Sequence, residues 1–155
     1  MFKRLRAEVE FLKLVKENDA FRDNLKHYLE AFFMKSRHMC WGNIYKIYYD
    51  VSNSSFRCCE FTNWNEDVIS DDLITITTMT RAAWDDLEDE YNMQKEYLEA
   101  IGDEMAYTFD EWVEEIGAKE EYIENCMESI IDGFEESVRY EKERYAYIER
   151  FKKTC

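Results

Sequence analysis

The stretch NIYKIYYDVSNSSFRCCEF, residues 43–61, decides the fold class of this 155-residue chain. Residues 43–51 are rich in the aromatic and β-branched side chains that strands favour. SNSS is a turn signal, and SFRCCEF (55–61) can pair back on the first strand as a hairpin. Further on, LITITTMT (73–80) sets Ile74 and Ile76 opposite threonines, the alternation of a third strand. Between them TNWNEDVISDD reads as a polar loop with one aromatic residue, Trp64.

Outward from this core the spacing turns helical. Residues 2–17 place Phe2, Leu5, Val9 and Leu12 at helical intervals. Asn18 or Asp19 is placed to cap a second helix to about residue 36, with Phe21, Leu25, Tyr28, Leu29, Phe32 and Phe33 on its apolar side. Thr80 is expected to cap a third helix reaching about residue 106, with Trp84, Leu87, Tyr91, Leu98, Ile101 and Met105 at heptad a and d positions. Thr108 and Glu111 form a capping box for a short helix, and Gly117 is a natural residue to end it. A final helix over roughly 119–152 carries the stripe Ile123, Met127, Ile130, Phe134, Val138, Tyr145 and Ile148. The expectation is an α+β, helix-rich single domain over 1–155. It has two N-terminal helices, a small three-stranded antiparallel sheet and three C-terminal helices, divided into an α-β part (1–80) and an acidic helical part (81–155).

Twenty-five aromatic residues exclude a disordered acidic tail, and the lack of proline with only four glycines favours long elements. Cys40, Cys58, Cys59, Cys126 and Cys155 are an odd set without a disulfide pattern, which points to a reducing compartment and a cytoplasmic location. MFKRLRAEVEFLKLVKE interleaves charges with apolar residues, unlike a signal peptide, and no stretch has the apolar length of a membrane span.

The net charge of −15 is unevenly spread. Residues 1–60 carry 11 basic and 8 acidic side chains, residues 61–138 carry 3 and 24, and residues 139–155 carry 6 and 3. In the heptad frame of the third helix, Asp89, Glu96 and Asp103 occupy the solvent-facing f positions, flanked by Asp85, Asp86 and Glu99. In the last helix Glu121, Glu128 and Glu135 hold the same place, flanked by Glu124 and Asp132. A solvated helix ordinarily mixes signs, because Glu–Lys pairs four apart stabilise it. Here Asp85/Asp89, Glu99/Asp103, Glu124/Glu128, Glu128/Asp132 and Asp132/Glu136 are like-charged, at a combined cost of roughly 1–2.5 kcal/mol. Along residues 85–136 the helical rise gives one carboxylate per ~4 Å, near the ~3.4 Å phosphate spacing of a single DNA strand. Such a surface attracts a lysine- and arginine-lined nucleic-acid groove.

Other chemistry has weaker support. No GxGxxG, phosphate-binding loop, HExxH, CxxC or EF-hand loop occurs. His38, Cys40, Cys58 and Cys59 have ligand types that suit zinc, but no standard spacing, and buried structural thiols are the simpler expectation. Glu111/Glu114 and Glu121/Glu124 share helix faces and have the ligand type for Mg²⁺ or Ca²⁺, but in so acidic a chain such pairs arise by chance. No catalytic residue, cofactor or metal ligand is assigned. Trp64 is the first choice for an aromatic interface anchor, and Tyr140 and Tyr147 lie off the last helix's stripe.

In size, charge and helix-borne carboxylates the chain resembles the small acidic inhibitors that phages use against host defence nucleases, including anti-restriction and anti-CRISPR proteins that act as nucleic-acid decoys. The resemblance implies a non-enzymatic inhibitor whose partner is a basic nucleic-acid-binding protein, a nuclease or effector complex, with no direct contact to nucleic acid or membrane. The alternatives are a structural or adaptor helix-hairpin protein that oligomerises, possible as a homodimer through the basic N-terminal part or through Tyr145 and Ile148, and a carboxylate metal-binding protein.

Overall fold

The computed structural model describes residues 2–40, 42–61 and 73–154. The chain order is α1 (Phe2–Glu17), α2 (Asp19–Ser36), β1 (Ile44–Asp50), β2 (Ser55–Phe61), β3 (Leu73–Met79), α3 (Ala82–Ala100), α4 (Phe109–Glu115) and α5 (Ala118–Thr154). The architecture is the helix-rich α+β fold with a three-stranded antiparallel sheet. Strand β1 is central, in the order β2-β1-β3. No described helix is long and apolar enough to cross a membrane.

Local chemistry sets the joints. Asn18 is the cap of α2: its Oδ1 accepts from the Phe21 amide at 3.0 Å. Arg22, one turn on, donates to the Val15 and Lys16 carbonyls at 2.9 and 2.8 Å, satisfying acceptors left open at the end of α1. In the hairpin turn the buried Asp50 accepts from the backbone and side-chain nitrogens of Asn53, while Ser54 takes the left-handed conformation at φ 48°. Strand β3 pairs with β1 with a register shift between Ile47 and Tyr48, where Thr77 and Thr75 are their partners and Ile76 is the extra residue.

The core is aromatic. The Phe11 ring touches Phe21, Tyr49 and Phe134, joining α1, α2, β1 and α5. Phe33 stacks on both Trp84 and Tyr122, joining α2, α3 and α5. The Trp84 indole donates to the Phe33 carbonyl at 2.7 Å, so the largest side chain of this node has its polar atom satisfied.

Two helical expectations are corrected. On α1 the buried face is Ala7, Phe11 and Val15, while Val9 is exposed. The spacing of Phe2, Leu5, Val9 and Leu12 follows a neighbouring row, and packing against α5 selects the other one. Helix α3 stops at Ala100 rather than near 106. Gly102 at φ 82° donates to Glu99 and the Asp103 amide donates to Leu98, the paired bonds of a Schellman ending. Met105 is therefore not a heptad position of α3. Thr80 sits just before the start: Arg81 is the cap residue and makes no side-chain capping bond, while Thr80 Oγ1 accepts from the Ala82 amide at 3.3 Å. The Thr108–Glu111 capping box and the left-handed Gly117 are as expected.

The α1–α5 contact contains a buried carboxylate. Glu8 side chain is 5% exposed; its Oε2 accepts from Ser137 at 3.1 Å and its Oε1 lies 3.5 Å from the exposed Arg4. Glu141 comes in beside it, with Oε2 buried and without a hydrogen-bond partner among the described residues. Burial, and next the charge of Glu141, push the Glu8 carboxyl above the usual glutamate range.

Candidate functional site

Helix α3 turns one side inward through Trp84, Leu87, Tyr91 and Leu98. At about 100° per residue its solvent side divides into two strips. One strip is acidic and holds Asp85, Asp89, Glu96 and Glu99. The other, directly beside it, is apolar: Met93, Tyr97 and Ile101 are 70%, 66% and 60% exposed, and Asp86 and Glu90 continue the same row toward the start of the helix.

The carboxylates differ in their surroundings. Asp85 is part-buried and lies 3.3 Å from the Arg81 guanidinium. Glu135 on α5 is ion-paired with Lys16 of α1. These two are neutralised by the chain's own basic groups and drop out of an acidic binding row. Asp103 is exposed but stands beyond the end of α3, where its Oδ1 accepts from the Glu104 amide at 2.8 Å. It is not an f position of that helix. Asp86, Asp89, Glu96 and Glu99 on α3, and Glu121, Glu124, Glu128 and Asp132 on α5, are exposed and have no ion-pair partner among the described residues. Trp64 lies outside the described residues.

Helix α4 packs against both α3 and α5, so the two acidic rows stand on helices joined through a third. In α4 Asp110 pairs with Arg37, which also lies over the Trp84 and Phe109 rings, and Glu111 is used in the capping box. Glu114 and Glu115 are left exposed. Glu115 falls in none of the sequence patterns above, and Glu114 only in the Glu111/Glu114 cation-type pair. The signal was the run FDEWVEE itself, a helix with four carboxylates and no base.

Between the start of α3 and Val138, residues 81–138 hold three basic side chains, Arg81, Lys95 and Lys119. Lys119 donates to Glu30 of α2 at 3.0 Å, and that bond holds its amine above the usual lysine range. It is thereby directed toward α2 and away from the solvent row of α5.

No three His, Cys, Asp or Glu side chains among the described residues are grouped to hold a metal ion. His38, Cys40, Cys58 and Cys59 do not converge on such a centre. The thiols are not uniformly buried either: Cys40 and Cys59 are exposed, and Cys58 and Cys126 are half-buried. Burial, then the neighbouring Cys59, push the Cys58 thiol up to about 11.

Beyond Val138, α5 presents Tyr140 and Tyr147, 66% and 65% exposed, on the face that also carries Arg144. Tyr145 and Ile148 lie on the half-buried side. Compared with family models, curated proteins and solved structures, the chain matches none of them.

Proposed function

We propose that this protein is a non-enzymatic acidic binding protein that occupies the basic nucleic-acid channel of a nuclease or effector complex and so competes with the natural polyanion. The supporting observation is the set of exposed carboxylates on α3, α4 and α5 that no basic side chain among the described residues pairs with. Like charges four residues apart lower helix stability, and a lysine at one or two of these places relieves the repulsion. A surface that keeps this cost is suited to a cationic partner, which removes the repulsion on binding and is drawn in over a Debye length of about 8–10 Å. The reading places the protein among inhibitors of nucleic-acid-binding enzymes, of the kind that phages direct against host defence.

The test is capture on the immobilised chain from a candidate host lysate, eluted with a salt gradient, then a competition assay with the captured protein and its nucleic acid. A nucleic-acid-binding protein is expected to elute as salt rises. It should be lost when Asp89 and Glu96, or Glu121 and Glu128, are changed to lysine, and should release its nucleic acid to the wild-type chain. Affinity that is indifferent to salt, or that survives both sets of reversals, overturns the proposal.

A further inference from the structure

The apolar strip of α3 is a different surface from its acidic row. Met93, Tyr97 and Ile101 follow one another at intervals of four, forming a ridge about 12 Å long, with a shallow groove beside it lined by Glu90, Gln94 and Leu98. Single exposed apolar residues are ordinary, but a continuous ridge of three on a helix whose other side is already packed marks an interaction surface. Within the chain α3 packs against α4 through Tyr91 and through Gln94, which accepts from the Trp112 indole at 3.3 Å, so α4 borders the groove and leaves the ridge itself exposed.

Charge selects what can cover it. Helix α3 holds seven carboxylates and one lysine, so a second α3 is repelled. Of the chain's two basic ends, residues 139–155, with six basic side chains against three acidic ones, are the one whose described helix also exposes aromatic side chains. There Tyr140, Arg144 and Tyr147 share one face over about 10.5 Å, and both tyrosines are exposed. We propose that the α5 end of a second copy of this chain docks on α3, with Tyr140 and Tyr147 against Met93, Tyr97 and Ile101 and with Arg144 against Glu90. Used twice about a two-fold axis the contact closes a dimer, and used head to tail it extends to longer assemblies. Asp89 and Glu96 stand four and three residues from Met93 on α3 and border the ridge, so self-association of the chain, read without any cationic partner, is what separates this inference from the polyanion reading.

Sedimentation equilibrium of the full chain tests it. At about 50 mM salt the 18.9 kDa chain is expected to self-associate reversibly, and about 500 mM salt, which shortens ionic screening to a few ångströms, should weaken it. Tyr97→Ser and Tyr147→Ser should each weaken association about tenfold or more, as loss of an interface aromatic does, while thermal unfolding shows both variants folded. Glu90→Lys and Arg144→Glu should each weaken it, and the two together should restore it, because the ion pair is rebuilt in reverse. A chain that stays at monomer mass up to about 100 μM, where micromolar pairs are well populated, overturns the inference. So does association that both serine variants leave unchanged, or a double charge exchange no tighter than either single one.

Discussion

Glu8→Gln is expected to stabilise the protein at neutral pH. The glutamine is isosteric, keeps an acceptor for the Ser137 hydroxyl at 3.1 Å, and offers an amide donor toward Glu141, whose buried Oε2 has no partner among the described residues. A hydrogen bond to a charged group contributes about 1.5–3 kcal/mol, and here it replaces a contact between two carboxylates. The variant gives up the Arg4 ion pair, but Arg4 is 71% exposed and such a pair contributes about 0–1 kcal/mol. The net is about 1–2 kcal/mol, or an increase of about 3–6 °C in Tm for a chain of this size. The sign depends on pH. The folded Glu8 carboxyl lies above its ordinary value of 4.5, so protons favour the folded state. Its contribution is fully present below that value and is lost as pH rises through the folded pKa. The advantage of the variant should therefore be large near neutrality and shrink as the pH falls toward 4.5. Thermal unfolding of both proteins across this range reads the effect. A glutamine variant less stable than the parent at pH 7.5, or a gap of constant size at every pH, refutes the assignment of Glu8 and Glu141 as a repelling buried pair.

Two of the three glycines of the helical part, Gly102 and Gly133, should respond in opposite directions to alanine. At Gly102, φ 82° leaves space for a Cβ but not a relaxed backbone, so Gly102→Ala should cost about 1–2 kcal/mol, read by urea unfolding. At Gly133, inside α5 with nothing within 4 Å of the added carbon, Gly133→Ala should gain about 0.5–1 kcal/mol in the same assay. Asp132→Lys turns two like-charged pairs, with Glu128 and Glu136, into opposite ones and should stabilise by roughly 1 kcal/mol at low salt, with the gain fading as salt is added. The same change should weaken a cationic partner if the proposed function holds. In thiol labelling at pH 8, Cys40 and Cys59 should react well before Cys58, whose thiol is pushed up to about 11; equal rates would contradict the covered position of Cys58.

Much of the architecture is written in local patterns. The strand compositions at 44–50, 55–61 and 73–79, the Asn18 cap, the Thr108–Glu111 capping box and the left-handed Gly117 rest on interactions between residues a few positions apart, so the amino-acid order alone carries them. The single-sign charge on the third and fifth helices is legible for the same reason, since helical spacing decides which residues share a face. Tertiary structure decided the rest, because it brings together groups whose separation in the chain says nothing of their distance in space. Packing chose Ala7, Phe11 and Val15 over the neighbouring row of α1. It brought Lys16 to Glu135 and Glu8 to Ser137, removing one predicted acidic site and creating a buried carboxylate that no sequence period marks. It also covered the side of α3 that carries Trp84 and Tyr91, because Phe33 of α2 and Trp112 of α4 pack there, and so left Met93, Tyr97 and Ile101 exposed.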